Sequence, residues 1–235
     1  MSQTEKIWDL PVRLFHWLLV LAILLSFLTG KFGEDIADWF LEKAIFFDAI
    51  VWHARIGYFL MSLLLFRIAW GFVGSSSARF QEWPAAPSQL WRYLKQIAAG
   101  EKPSYPGHNP LGSYAVFAML LLLLIQVGTG LFSEDDIMFS APLASLVSSE
   151  TSELMHEWHH LNFDLLLIMI GLHVAAVTVY HLWFKESLVP AMFTGRKPVD
   201  KTPIDNLPSA LRWRPWWLAL LVYVVALGIV LLIVL

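Results

Sequence analysis

LMHEWHHLNFDLLLIMIGLHV, residues 154–174, places four histidines in a stretch otherwise dominated by aliphatic side chains. Two different readings overlap in it. His156, Glu157 and His160 spell H-E-x-x-H, in which two histidines on one helix face hold zinc and the glutamate acts as base. His159 and His173 are instead fourteen residues apart, about 21 Å at 1.5 Å per residue. Fourteen steps of 100° return to within about 40° of the same face. The first reading is a metal site at the end of a helix. The second is a pair of imidazoles at two depths of a membrane span, and the rest of the chain decides between them.

The chain has 235 residues, of which 57% are hydrophobic and 15% charged, with twelve tryptophans. That is too apolar for a soluble domain of this size and is expected of a polytopic membrane protein. There is no cysteine. Disulfides, iron–sulfur clusters, thiolate zinc and covalently attached haem are thereby excluded, and histidine is left as the strongest soft ligand. Five segments are apolar over the ~20 residues that a spanning helix needs. They are Leu14–Gly30, Val51–Val73, Leu111–Phe132, Trp158–Phe184 and Pro215–Leu235. The first runs into SFLTGKFGED, with no small-x-small cleavage pattern, and is read as a retained span. The expected fold class is all-α: a four-helix transmembrane bundle plus a fifth, C-terminal transmembrane helix.

Charge orients the spans. Lys6 and Arg13 precede or open the first; Arg79, Arg92, Lys95 and Lys102 lie between the second and third. Lys185, Arg196, Lys197, Lys201, Arg212 and Arg214 follow the fourth. The connection between spans one and two sets Lys31 and Lys43 against five acids, and that between spans three and four has six acids from Glu134 to Glu157 and no base. By the positive-inside rule the N-terminus is cytoplasmic, the acidic loops face the periplasm or exterior, and the C-terminus follows them outside. Acidic outer loops suit a partner with a basic docking face. No nucleic-acid partner is expected.

An ionisable residue inside a membrane is a functional hypothesis by default, although a lone histidine is served as well by a hydrogen bond to a neighbouring helix. Depth distinguishes the two cases here. His16 lies near the cytoplasmic end of span one and His53 near the outer end of span two; His159 lies near the outer end of span four and His173 deep within it. Two pairs at matched depth follow, His53 with His159 and His16 with His173. Two axial histidines from facing helices are what a six-coordinate b-type haem requires. Arg67, fourteen residues after His53, shares its face and the depth of the inner pair, where its guanidinium suits haem propionates; Arg55 is placed for the same role near the outer pair. Arg67 serves equally as a snorkelling anchor. Gly57, Gly128, Gly130 and Gly171 permit close approach of a porphyrin or of another helix.

The rival readings lack parts. A zinc-dependent intramembrane protease built on His156, Glu157 and His160 needs a further ligand and a wet cleft, and the chain has no Asp-Gly to supply the later aspartate. A transporter needs charged or broken helices at midplane, where this sequence is almost wholly aliphatic.

IWDLPVRLFHW (7–17), SYPGHNPLGSYAVF (104–117) and MHEWHHLNFDLLLIMIGLHV (155–174) resemble the cytochrome b subunits of membrane nickel–iron hydrogenases, within the wider bacterial cytochrome b-561 family. The resemblance covers approximately residues 6–190 and includes an arginine fourteen residues after the span-two histidine. It implies an inner-membrane bundle with two b haems ligated by His16, His53, His159 and His173. Such a bundle exchanges electrons between the quinone pool and a periplasmic partner, a hydrogenase-like subunit or cytochrome c. Family members also serve other dehydrogenases or oxidise superoxide. His108 is then placed to hydrogen-bond a quinone carbonyl, with Arg13 or His181 assisting, while Asn109-Pro110 reads as a helix cap and first-turn proline. The chain divides accordingly into a haem-binding domain (1–190), a cytoplasmic linker (191–214) and an added span (215–235). That last span carries no acid, base or histidine and is expected to be an anchor, or a docking surface for a partner or second copy.

Overall fold

The structure, a computed structural model, describes residues 4–84, 86–101, 103, 105, 107–134, 139–198 and 211–235. The linker expected at 191–214 therefore lies partly outside the described residues. Five helices are long and apolar enough to cross a membrane: α1 (Leu10–Lys31), α3 (Ala49–Val73), α5 (Pro110–Gly130), α6 (Ser149–Leu182) and α8 (Trp216–Val234). Three shorter helices lie between them, α2 (Gly33–Leu41), α4 (Pro87–Ala98) and α7 (Leu188–Thr194), with two short strands, β1 (Thr4–Lys6) and β2 (Arg196–Pro198). The chain is an all-α polytopic membrane protein, with a two-stranded ribbon added.

Side chains set the start of four spans. A side-chain oxygen at the residue before the helix accepts the backbone N–H three residues on, as N-caps do. Asp9 takes Val12 at 3.0 Å, Asp48 takes Val51 at 3.2 Å, Asn109 takes Gly112 at 2.7 Å and Ser148 takes Thr151 at 3.2 Å. Asn109 with Pro110 is thus the cap that the sequence suggested. Hydropathy started the fourth span at Trp158, whereas α6 begins nine residues earlier, at Ser149. The polar turns before Trp158 are invisible to a search for apolar residues but are held by Ser148 and by the buried Ser152, whose hydroxyl donates to Phe132 O at 2.7 Å.

The chain divides into two compact units, 1–14 with 67–121 and 166–220, and 15–66 with 122–165 and 221–235. In the first, β1 pairs antiparallel with β2, Thr4 opposite Pro198 and Lys6 opposite Arg196. The N–H groups of Ile7 and Trp8 both donate to Gly195 O, and Ser75 and Ser76 bind the backbone of Arg212 and Arg214. Buried Lys197 joins Glu186 at 3.1 Å and Tyr105 O at 3.0 Å. Gly195 ends α7 with φ of 77°, and a β-carbon there would stand 2.8 Å from Trp8 O. Gly195→Ala combines left-handed strain with this clash and is expected to cost roughly 1–3 kcal/mol, read as a lowered Tm in detergent. In the second unit Ser62, fully buried on α3, meets the Tyr223 hydroxyl of α8 at 3.5 Å, and Phe66 packs edge-on against the same ring. The fifth span is thereby fastened to α3 at a polar spot within apolar surroundings.

Candidate functional site

The second unit brings His53 of α3 and His159 of α6 together, with ring centroids 6.1 Å apart. Each imidazole is held from behind. His53 Nδ1 donates to Ser26 O of α1 at 2.9 Å, and His159 Nδ1 donates to Gln126 O of α5 at 3.0 Å. A carbonyl oxygen only accepts, so each Nδ1 carries the proton and each Nε2 keeps its lone pair for another partner. This is how metal-binding histidines are oriented and made more basic. Two metal–nitrogen bonds of about 2 Å, plus the distance from each nitrogen to its ring centre, fill the gap between the rings.

The same device is built twice. α1 ends in SFLTG (26–30) and α5 in QVGTG (126–130). Thr29 donates its hydroxyl to Leu25 O and Thr129 to Ile125 O, both at 2.8 Å. Those hydroxyl oxygens then stand 3.4 Å from His53 Nδ1 and 3.3 Å from His159 Nδ1. A β-carbon on Gly30 would lie 2.9 Å from His53 Cε1, and one on Gly130 3.1 Å from His159 Cε1. Each Thr-Gly end thus supplies the accepting carbonyl one turn back and the missing side chain that admits the ring. The α5 copy is braced further: Gln126 donates to His159 O at 3.1 Å and accepts from buried Asn162 at 2.6 Å. Gly130 therefore makes room for an imidazole, whereas β-carbons on Gly57, Gly128 and Gly171 would meet nothing within 4 Å. Gly57 lies one turn beyond His53 on nearly the same face of α3.

The family model for prokaryotic cytochrome b561 matches residues 7–195. The chain belongs to that family. It is a membrane b-type cytochrome, an electron-transfer protein with haem b as its cofactor. The cytochrome is 27% identical over 220 residues to a probable Ni/Fe-hydrogenase B-type cytochrome subunit of Rhizobium leguminosarum bv. viciae, covering 83% of this chain and 89% of that protein. It is 26% identical over 222 residues to a probable Ni/Fe-hydrogenase 1 B-type cytochrome subunit of Escherichia coli (strain K12), covering 86% and 94%. The anchored His53–His159 pair fits the group that a b-type cytochrome carries.

The other residues singled out in the sequence are distributed over the cytochrome as follows. His16, half-buried on α1, belongs to the second unit and packs edge-on against Trp17. His173, half-buried on α6, belongs to the first. Arg67 is buried in the first unit, its guanidinium over the rings of Phe80 (4.8 Å) and Trp83 (5.2 Å) and donating to Ala78 O at 3.3 Å. Trp83 also faces His108 at 4.3 Å, and Trp8 closes the other side of His108 at 4.9 Å. Arg67 and His108 thus share one aromatic box. Arg13 turns away from it to donate to Phe193 O at the end of α7. Arg55 is exposed over Trp52 at 5.3 Å and lines a groove between α1 and α3 with Leu18, Leu21, Leu25 and Phe59. His156 and His160 lie exposed on α6.

His108 outside the spans has a Nδ1 sealed from solvent and without a hydrogen-bond partner among the described residues. Burial, then the positive charge of Arg67, pushes its pKa down from 6.5 to about 3. The folded state therefore holds it neutral and disfavours the proton that the unfolded chain takes up below pH 6.5. Stability from this group is complete above pH 6.5 and falls by at most about 1.4 kcal/mol per pH unit towards pH 3. His108→Gln is expected to flatten that part of the stability profile, measured by unfolding in detergent at pH 7, 5 and 4.

Proposed function

We propose that this cytochrome is a di-haem protein of the bacterial inner membrane that carries electrons between the quinone pool and a periplasmic redox protein. His53 and His159 are the axial ligands of one haem, and His16 and His173 those of the other. The observation that carries the reading is the pair of imidazoles whose Nδ1–H groups are both fixed on carbonyls of neighbouring helices, which presents both Nε2 atoms as ligands. Bound haem supplies one-electron exchange at iron. The helices hold the rings in one orientation, keep water out and tune the potential through the Ser26 and Gln126 hydrogen bonds.

The second pair is supported by spacing, since His173 follows His159 by fourteen residues on α6 and His16 lies in the second turn of α1. Arg67 and Arg55 are the cations offered to haem propionates. Stacking leaves the Arg67 guanidinium edge for carboxylate oxygens, as its planar fork allows. His108, with Arg13 nearby in sequence to the first ligand, is the proposed contact for a quinone carbonyl, and its neutral, unpartnered Nδ1 supports that role. The distribution of lysine and arginine supports a cytoplasmic N-terminus and a C-terminus outside, with α8 as an anchor beside the 1–190 domain or a surface for a partner or second copy. The names of the relatives favour a hydrogenase as the periplasmic partner over a cytochrome c.

The test is a dithionite-reduced minus oxidised spectrum of the detergent-solubilised protein, with haem and zinc quantified together. Sharp b-type bands with about two haems per chain are expected. One haem per chain removes the inner pair, and stoichiometric zinc without haem overturns the proposal.

A further inference from the structure

The fold keeps the two histidines of the H-E-x-x-H pattern, His156 and His160, exposed on α6, while His159 between them turns to Gln126 of α5. Those two exposed rings are not scattered: their Nε2 atoms stand 3.2 Å apart, with ring centroids at 4.7 Å. At a metal–nitrogen distance of about 2.0–2.1 Å, two nitrogens this far apart subtend roughly 100° at a shared ion, close to tetrahedral. Glu153, His156, Glu157 and His160 follow the i, i+3, i+4, i+7 pattern of a single helix stripe, and all four are exposed. The stripe therefore adds two carboxylates to the two imidazoles.

We propose that His156 and His160 form a surface site for a borderline divalent cation of the zinc and copper type, each ligating through Nε2. Imidazole is the ligand class that these ions select. Among the described residues no group of three or more His, Asp or Glu stands together at ligating positions, so water completes the coordination sphere. Glu153 and Glu157 contribute negative charge across the stripe. The site is distinct from a zincin centre, since it lies on an open helix surface and needs nothing from Glu157 as a base. The His160 ring is 6.2 Å from that of His159. On the reading of His159 as a haem ligand, a bound dication there favours the reduced form of that haem by simple Coulomb attraction.

The full-length protein in detergent, carrying a tag other than polyhistidine and stripped with a chelator, is titrated with Zn²⁺ by calorimetry and with Cu²⁺ by electron paramagnetic resonance. One saturable ion per chain is expected, with nitrogen splittings from two imidazoles on the copper signal. His156→Ala and His160→Ala should each weaken binding by about tenfold or more, and Glu157→Gln by much less, with haem content unchanged in all three. Binding that is absent, or equally tight in both histidine variants, overturns the site. A loss in Glu157→Gln as large as in the histidine variants replaces it with a glutamate-dependent centre. Haem content is measured separately in every sample, so failure here leaves the electron-transfer reading standing, and the reverse also holds.

Discussion

His53→Ala is expected to leave the purified cytochrome with about half the haem of the unaltered chain, and His159→Ala to do the same. On the proposed ligation, either substitution would remove one of two axial nitrogens and leave the opposite ring, still anchored on Ser26 O or Gln126 O, without a partner across the gap. The double variant should lose no more haem than either single one, because both changes empty one site. Combining His53→Ala with His173→Ala should remove nearly all of it. This non-additivity separates ligation from general damage, which would accumulate with each substitution. Gly30→Val reaches the same end without touching a ligand: its side chain must occupy space 2.9 Å from His53 Cε1 and push the ring off its carbonyl. Haem quantification by pyridine haemochrome, together with the redox titration of what remains, reads all five variants. Full haem in His53→Ala would refute the pairing.

Asp9→Ala is expected to destabilise the protein by about 2–4 kcal/mol, the sum of a lost N-cap and an orphaned buried donor. Asp9 is almost wholly buried, with one carboxylate oxygen capping α1 at Val12 and the other accepting from Trp70 Nε1 at 2.9 Å. Trp70 has no exposed surface, so no water replaces the acceptor when the carboxylate is removed. Asp9→Asn keeps a single acceptor oxygen, enough for the cap, but sets its NH2 group against Trp70 Nε1–H, so it should recover only the cap's share of the loss. Thermal unfolding in detergent, run on Asp9→Ala, Trp70→Phe and the double variant, isolates the coupling between the two side chains. A coupling near zero would show that the buried bond contributes nothing beyond the cap.

The membrane spans were legible because a helix in lipid must be apolar along its whole length, and hydropathy reads that directly. The nearness of His53 and His159 was legible because both stand near the outer ends of their spans, and the structure sets their ring centroids 6.1 Å apart. Their supports were not. Ser26 and Gln126 act through main-chain oxygens, which every residue possesses, and nothing in their side chains announces it. The signal that would have found them is the shared Thr-Gly at 29–30 and 129–130, two short ends separated by 100 residues and too brief to register as a repeat. Arg67 was read as a propionate partner or a snorkelling anchor; its stacking on Phe80 and Trp83 was not legible, because they come from a connection whose prolines and polar residues concealed its packing role. Gly71 belongs to the same omission, since a β-carbon there would fall 2.1 Å from the Phe80 ring. Amphipathic α4 was missed for the opposite reason, being too polar for a search tuned to spans. Its Tyr93 nonetheless bonds Tyr180 of α6, and burial raises the Tyr93 phenol well above its ordinary range.

The duplicated Thr-Gly ends bear on how a flat guest is received. On the proposed ligation by His53 and His159, an imidazole backed by a carbonyl would meet each face of the porphyrin, so turning the ring over would exchange like for like. Preference for one insertion isomer would then be set at the periphery, by side chains that differ from edge to edge.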